Sequence, residues 1–247
     1  MGAMLLEDLA AETAALADRA PSRAFLGLAG APGGGKSALA RYLVDEVRAE
    51  VGPDTAAYLP MDGFHLSNAQ LDRLGRRDRK GAPDTFDVHG YLALLRRLHA
   101  VADAPVYAPD FDRAADEPIA ARLAVEPGVR LIVTEGNYLA EDAPLWREVR
   151  ALLTDLWYVE ADDETREARL VERQLTGGRS LDEARAWVRR SDRANGELVK
   201  ATRRNCSRVV RVGDAEPLRR KATGPGGRRP SEGTAGGPVA GSWRDGA

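Results

Sequence analysis

Gly30-Ala31-Pro32-Gly33-Gly34-Gly35-Lys36-Ser37 fills every position of the pattern G-x-x-x-x-G-K-[ST]. Such glycines let consecutive backbone N–H groups turn toward one point, where they meet anionic oxygen. The run before it, Ala24-Phe25-Leu26-Gly27-Leu28-Ala29, is apolar and reads as a buried strand. After it, Leu39, Leu43 and Val47 recur at helical spacing, so residues 37–50 read as a helix. That helix directs the positive end of its dipole at the loop. A glycine-rich turn that matches by accident is the plainer alternative, and the strand–loop–helix setting argues against it. The stretch is read as a phosphate loop in which Gly30, Gly33, Gly34, Gly35, Lys36, Ser37 and Ala38 contact ATP. Lys36 reaches the β- and γ-phosphates, and Ser37 ligates Mg²⁺.

Outward from the loop, short apolar strands alternate with helical patterns. Residues 4–19 carry Leu5, Leu6, Leu9 and Leu16 on one helical face, and Pro21 ends that helix. Residues 56–61, 106–111, 130–135, 155–159 and 208–212 read as strands, 106–111 weakly and 130–135 most clearly. Residues 90–101, 163–175 and 181–199 read as helices, and 62–87 as a polar, basic stretch with little helical period. The alternation predicts an α/β fold of the P-loop NTPase type, a doubly wound, mostly parallel sheet with a helical lid. Residues 1–20 are expected as an amphipathic helix, 21–216 as the nucleotide-binding domain with its lid at about 163–180, and 217–247 as a disordered tail rich in Gly, Pro and Arg.

The 247 residues and 43% hydrophobic content suit one domain with a real core, and the net charge of -2 gives no global field for nucleic acid or membrane. Cys206 is the lone cysteine, which excludes an internal disulfide and fits a reducing compartment. The N-terminus lacks a signal-peptide pattern, so the cytoplasm is the expected location. No Lys follows an Asn, which argues against the guanine reader of switch GTPases. A homodimer is left open by the general frequency of dimers.

Two acids stand where strands should end beside the loop, Asp62 and Glu135. Ligands of open α/β sheets lie outside the carboxyl ends of strands, so both carboxylates can face Mg-ATP and its acceptor. Asp62 is the candidate base that orients a hydroxyl, and Glu135 the candidate Mg²⁺ acid, although the residues alone allow the roles to be exchanged. A helix cap for Asp62 and an exposed strand end for Glu135 are the plainer alternatives.

Met61-Asp62-Gly63-Phe64-His65-Leu66, the segment 79–87, Pro109 to Arg113, and Glu135-Gly136-Asn137-Tyr138-Leu139 occur in the order of motifs in a known group. Over residues 24–212 the chain resembles the uridine kinase, phosphoribulokinase and bacterial pantothenate kinase superfamily of P-loop kinases, and looks closest to its nucleoside/nucleotide kinase-like branch. The resemblance implies transfer of a γ-phosphoryl group to a small-molecule hydroxyl. It matches Asp62 to the base and Glu135 to the acid after the Walker-B strand. It also places Lys80, Asp87, Asp112, Arg113 and Asn195 on the acceptor side. His65, three residues after Asp62, is a further acceptor-side candidate. Ala38 departs from the second hydroxyl residue that many relatives carry, and the acceptor pocket does not reproduce the pattern of uridine or pantothenate kinases.

Arg166, Arg169 and Arg173 share one face of the 163–175 helix, and Thr176-Gly177-Gly178-Arg179 follows as a hinge. A solvated face paired with Glu164, Glu167 and Glu172 is the plainer reading from spacing alone. The resemblance places a lid here and favours Arg169 and Arg173 as catalytic cations. His89 and His99 read as helix residues, and Trp146, Trp157 and Trp187 as core or interface. The rival from another class is an ATP-binding regulatory or assembly protein with slow hydrolysis and no acceptor.

Overall fold

The structure is a computed structural model and describes residues 6–20 and 22–211. The expected tail at 217–247 and the start of the first helix at residue 4 lie outside the described residues. In chain order the elements are α1 (Leu6–Arg19), β1 (Ala24–Ala29), α2 (Lys36–Val51), β2 (Ala56–Pro60), α3 (Asn68–Arg73), α4 (Val88–Ala100), β3 (Val106–Asp112), β4 (Glu117–Val125), β5 (Leu131–Glu135), α5 (Pro144–Ala151), β6 (Asp155–Glu160), α6 (Asp163–Thr176), α7 (Leu181–Trp187), α8 (Arg193–Ala201) and β7 (Arg208–Arg211).

The main sheet has the order β2-β5-β1-β6-β7 and every pairing in it is parallel. Helices therefore cover both faces, and the strands read as unbroken apolar runs rather than alternating ones. Alternation appears instead between the two cores. Ala24, Leu26 and Leu28 of β1 pack with Leu131, Val133, Trp157 and Val159 under α1 and α2. Phe25 and Ala29 point the other way, with Ile132, Leu156 and Tyr158, against Tyr91, Leu95 and Leu98 of α4 and Trp146 of α5. Gly27 has no room for a side chain, because a Cβ there meets Leu153 and Leu156 within 2.8 Å.

The chain leaves β1 through α2 for the outer strand β2 and returns to β5, after which it crosses β1 to reach β6. This reversal opens a crevice beyond the carboxyl ends of β1 and β5, the place where doubly wound sheets bind ligands. A separate antiparallel pair, β3 and β4, rises beside it.

Four departures from the sequence reading have local causes. The 181–199 helix is interrupted by a π-helical turn, Val188–Asp192, in which Arg193 N–H bonds back to Val188 O. The polar 62–87 stretch contains short 3₁₀ turns and α3, whose first turn is capped by Ser67. Helix α5 begins at Pro144, a residue suited to the first helical position. Strand β4 is half solvent-exposed, so its sequence carries no buried apolar signature. Among the described residues no helix is long and apolar enough to cross a membrane.

Candidate active site

The loop between β1 and α2 is shaped by two left-handed glycines. Gly33 has φ 77° and Gly35 φ 90°, and a Cβ on Gly33 would lie 2.7 Å from Arg166 O. Gly35 is the residue before α2, so the turn delivers the chain directly into the helix N-terminus. Lys36 is buried, and its Nζ donates to Ala31 O at 3.1 Å and to Asn137 Oδ1 at 2.7 Å. Burial lowers its pKa to about 8, against the opposing pull of Glu135 and Asp62.

Sheet register brings the two acids to this loop. Glu135 is the Cα partner of Leu28 on one side and of Pro60 on the other, and Asp62 lies just beyond Pro60. Ser37 Oγ and the Tyr58 hydroxyl both donate to Glu135 Oε1 at 2.8 Å. Ser37 and Glu135 thus present adjacent hard oxygens, the donor type that Mg²⁺ takes. Burial holds the Glu135 carboxyl above the usual range, and the neighbouring Asp62 charge adds to that. Asp62 is also subject to burial, but the positive charges of Arg113, Arg173 and Lys36 keep its carboxyl below the usual range.

Asp62 Oδ2 receives Arg113 Nη2 at 3.4 Å. His65 Nδ1 donates to the Asp62 carbonyl at 2.8 Å, which leaves Nε2 as the acceptor of a neutral ring. Burial lowers the His65 pKa and favours that neutral form. The ring is wedged against Phe86 and Phe111, at 4.1 and 4.8 Å between centroids. Gly63 allows the close approach of this turn to β3, since any Cβ there would run into Pro109 O.

The other wall comes from α6 and the helical segment after it. Arg166 is buried, donating to Pro32 O at 3.1 Å and Asp163 Oδ1 at 2.6 Å, so it ties α6 to the phosphate loop. Arg169 Nη1 donates to Gly33 O at 3.3 Å. Burial lowers the Arg173 pKa, with the like charge of Arg113 as the next cause. Arg179 stands over the Trp187 ring, 4.1 Å from its centroid.

These walls enclose one cleft of about 700 Å³. It brings together the loop residues Gly33 to Ala38 with Asp62, His65, Lys80, Arg113, Glu135, Arg169, Arg173 and Asn195. Gly30 is not among the lining residues. It ends β1 at φ 151°, where a Cβ would strike Val159 O, so it serves the packing of the loop on β6. Lys80 reaches the cleft, but its ammonium is held by Asn68 Oδ1 at 2.6 Å and Asp116 Oδ2 at 3.0 Å. Two expected acceptor-side residues have other tasks. Asp87 turns its carboxylate to Gly90 N at 2.8 Å as the cap of α4. Asp112 accepts from Ala114 N and Ala115 N and pairs with Arg122 at 2.6 Å, closing the β3–β4 turn. Neither lines the cleft, because a short carboxylate beside free backbone N–H groups satisfies them first.

Asn137 and Tyr58 were not singled out from sequence. Asn137 follows Glu135 by two residues in a motif already quoted, and its bond to Lys36 needs the β5–β1 register to be known. Tyr58 is an ordinary strand residue by pattern, and only its pairing near Glu135 reveals its hydroxyl's role.

No family model matches the chain. It is 35% identical over 175 residues to "Putative uridine kinase C227.14" of Schizosaccharomyces pombe, covering 69% of this chain and 74% of that protein. It is 40% identical over 133 residues to "ATP-dependent kinase-like protein notR'" of Aspergillus versicolor, covering 51% of this chain and 77% of that one. A solved structure described as a "putative fructose transport system kinase" from Silicibacter sp. TM1040 matches with a TM-score of 0.75 at 38% identity, over 83% of this chain and 98% of that chain. The motifs, the parallel sheet around a phosphate loop and these relatives agree, and the chain belongs to the uridine kinase-like family of P-loop kinases.

Proposed function

We propose that the protein transfers the γ-phosphoryl group of Mg-ATP to a hydroxyl of a small-molecule acceptor. The observation that carries this reading is the single cleft shared by Lys36 and the Ser37–Glu135 pair on one side and by Asp62 with His65 and Arg113 on the other. A protein that only bound or slowly hydrolysed ATP would have no use for an ionised acid with a cationic partner facing the phosphate loop.

Lys36, the loop amides and the start of α2 hold the phosphates. Ser37 and Glu135 would hold Mg²⁺, with Tyr58 fixing the Glu135 oxygen. The metal, when bound, neutralises charge on the β- and γ-oxygens. Asp62 is the acid kept ionised, so it takes the base's part: it orients the acceptor hydroxyl and receives its proton as the bond to phosphorus forms and the bond to the β-bridging oxygen breaks. Arg169 and Arg173 face the equatorial oxygens, where charge spreads in the transition state. His65 Nε2, Arg113 and Asn195 are offered to the acceptor.

The test is ADP release from Mg-ATP across nucleosides, pantothenate-like acids, sugars and sugar phosphates, with Lys36→Ala as the blank. Acceptor-dependent release well above the basal rate supports transfer. ATP binding with slow hydrolysis that no acceptor stimulates favours a regulatory or assembly protein instead.

A further inference from the structure

The turn that leaves β5 touches both ends of the cleft in consecutive residues. Glu135 ends the strand with the oxygen shared by Ser37 and Tyr58. Gly136 donates its N–H to Leu28 O at 3.1 Å, which carries the turn on from the β5–β1 ladder. A Cβ on Gly136 would come within 2.6 Å of Met61, the residue before Asp62. Asn137 accepts from the Lys36 ammonium at 2.7 Å. Tyr138 is 1% exposed, packed with Phe86 and Trp146, and its hydroxyl donates to Gly81 O at 2.6 Å. Burial raises the pKa of this phenol, so the proton that makes the bond stays in place.

Gly81 lies in a segment built differently from the turn. From Asp72 to Asp84 no residue is buried, although Arg77, Asp78, Lys80 and Gly81 line the cleft. Arg76 and Arg79 pair with Asp84 inside the segment. Its ties to other elements are polar. Lys80 reaches Asn68 Oδ1 at 2.6 Å and Asp116 Oδ2 at 3.0 Å, Arg77 stands 3.8 Å from Asp116, and Tyr138 holds Gly81 O. Of these partners, Tyr138 is the one fixed to the main sheet. A segment with so few apolar contacts opens locally at low cost.

The residue beside Tyr138 is therefore the one that steadies the lysine of the phosphate loop. Lys36 has three donor hydrogens and spends two on Ala31 O and Asn137, so phosphate can be met without releasing Asn137. A nucleotide that fixes Lys36 then fixes Asn137, and less entropy remains to be lost when Tyr138 holds Gly81. Resting on the transfer reading above, we infer that Tyr138 is a positioning residue through which bound nucleotide orders the 75–85 segment at the acceptor end of the cleft. Such coupling is reciprocal, so an acceptor that orders the segment tightens the nucleotide by the same factor.

The test is hydrogen exchange on the full chain, with and without Mg²⁺ and β,γ-imido-ATP. The amides of Gly81, Ala82 and Thr85 are bonded within the segment, at 3.0, 2.9 and 3.0 Å, so they report its opening. In wild type the analogue should slow their exchange about fivefold or more. Tyr138→Phe removes the hydroxyl and keeps the ring. In that variant the slowing should vanish, while the phosphate loop stays protected by the analogue and the analogue's affinity stays within about threefold of wild type. Asn137→Ala cuts the link at its other end and should lose the slowing too, at saturating analogue. No slowing in wild type overturns the assignment. Slowing by an unchanged factor in either variant also overturns it, whether the analogue covers the segment directly or the hydroxyl only stabilises the fold. Acceptor-stimulated ADP release without the slowing would sink this link and leave the transfer reading. Slowing that depends on Tyr138, in a protein whose ADP release no acceptor stimulates, would sink the transfer reading and leave the link.

Discussion

The ammonium of Lys36 and the Oδ1 of Asn137 meet at 2.7 Å, joining the phosphate loop to the turn after β5. The bond gives a buried charge one of its two partners, the other being Ala31 O. Asn137→Ala is expected to lower nucleotide-free stability by about 1.5–3 kcal/mol, the usual worth of a bond to a charged group. Denaturant unfolding checks this, and a variant as stable as wild type would show that the contact contributes nothing.

Lys36 also gives a pH signature. Its folded pKa is about 8, below the ordinary lysine value of 10.5. The unfolded chain therefore binds more protons between these values, and stability without nucleotide should rise with pH across that window. The full gain is on the order of 3 kcal/mol. ATP affinity should fall over the same range, because the ammonium that meets the phosphates is being lost. Lys36→Met should flatten both slopes, and an unchanged stability slope in that variant would assign it to another group.

Asp62→Asn keeps the shape of the side chain and removes its charge. ATP affinity should stay within about threefold, while acceptor-dependent ADP release drops roughly 10²- to 10⁴-fold, the typical worth of a positioned base. Wild-type turnover in this variant would remove Asp62 from the base's role.

Tyr58→Phe deletes the hydroxyl that orients Glu135 Oε1 and leaves the ring under Arg41, which stands 4.1 Å above it. Loss of such an outer partner should raise the Mg²⁺ concentration for half-maximal activity about tenfold. Glu135→Gln should raise it further. Equal Mg²⁺ curves for wild type and Tyr58→Phe would place the metal elsewhere.

The arginines of α6 should separate into two kinds. Arg166→Met removes a buried guanidinium that pairs with the exposed Asp163 and tethers Pro32 O, and should cost about 1–3 kcal/mol of stability. Arg173→Ala should change stability little and lower turnover about 10²-fold or more. If Arg173→Ala also unfolds the protein, the residue is part of the fold rather than of the chemistry.

The reasons some features were legible in sequence and others not are physical. Buried parallel strands are apolar on both faces, so β1, β5 and β6 stand out as runs, and the glycine pattern after β1 locates the crevice. Strand β4 faces solvent along most of its length, and nothing in Ile119 to Leu123 separates it from a loop. Helical spacing grouped Arg166 with Arg169 and Arg173, but not the depth at which each sits. Arg166 is buried and structural, while Arg169 and Arg173 line the cleft. Asp87 and Asp112 fall in segments shared with the kinases, yet each meets free N–H groups of its own turn before it can reach a ligand. Asn137 depends on pairing register, which a linear pattern does not encode.

Among the described residues β7 is the outer strand and spans four residues, with Arg208 and Arg211 engaging Glu12 and Glu160. At the opposite margin β2 closes on Pro60, which has no N–H to offer. Short, charged or proline-ended margins make poor templates for a strand from another molecule. Among the described residues, the same parallel arrangement that gathers the loops of the candidate site at one end therefore stops laterally, and crowded copies of this protein should resist the edge-to-edge growth that leads to fibres.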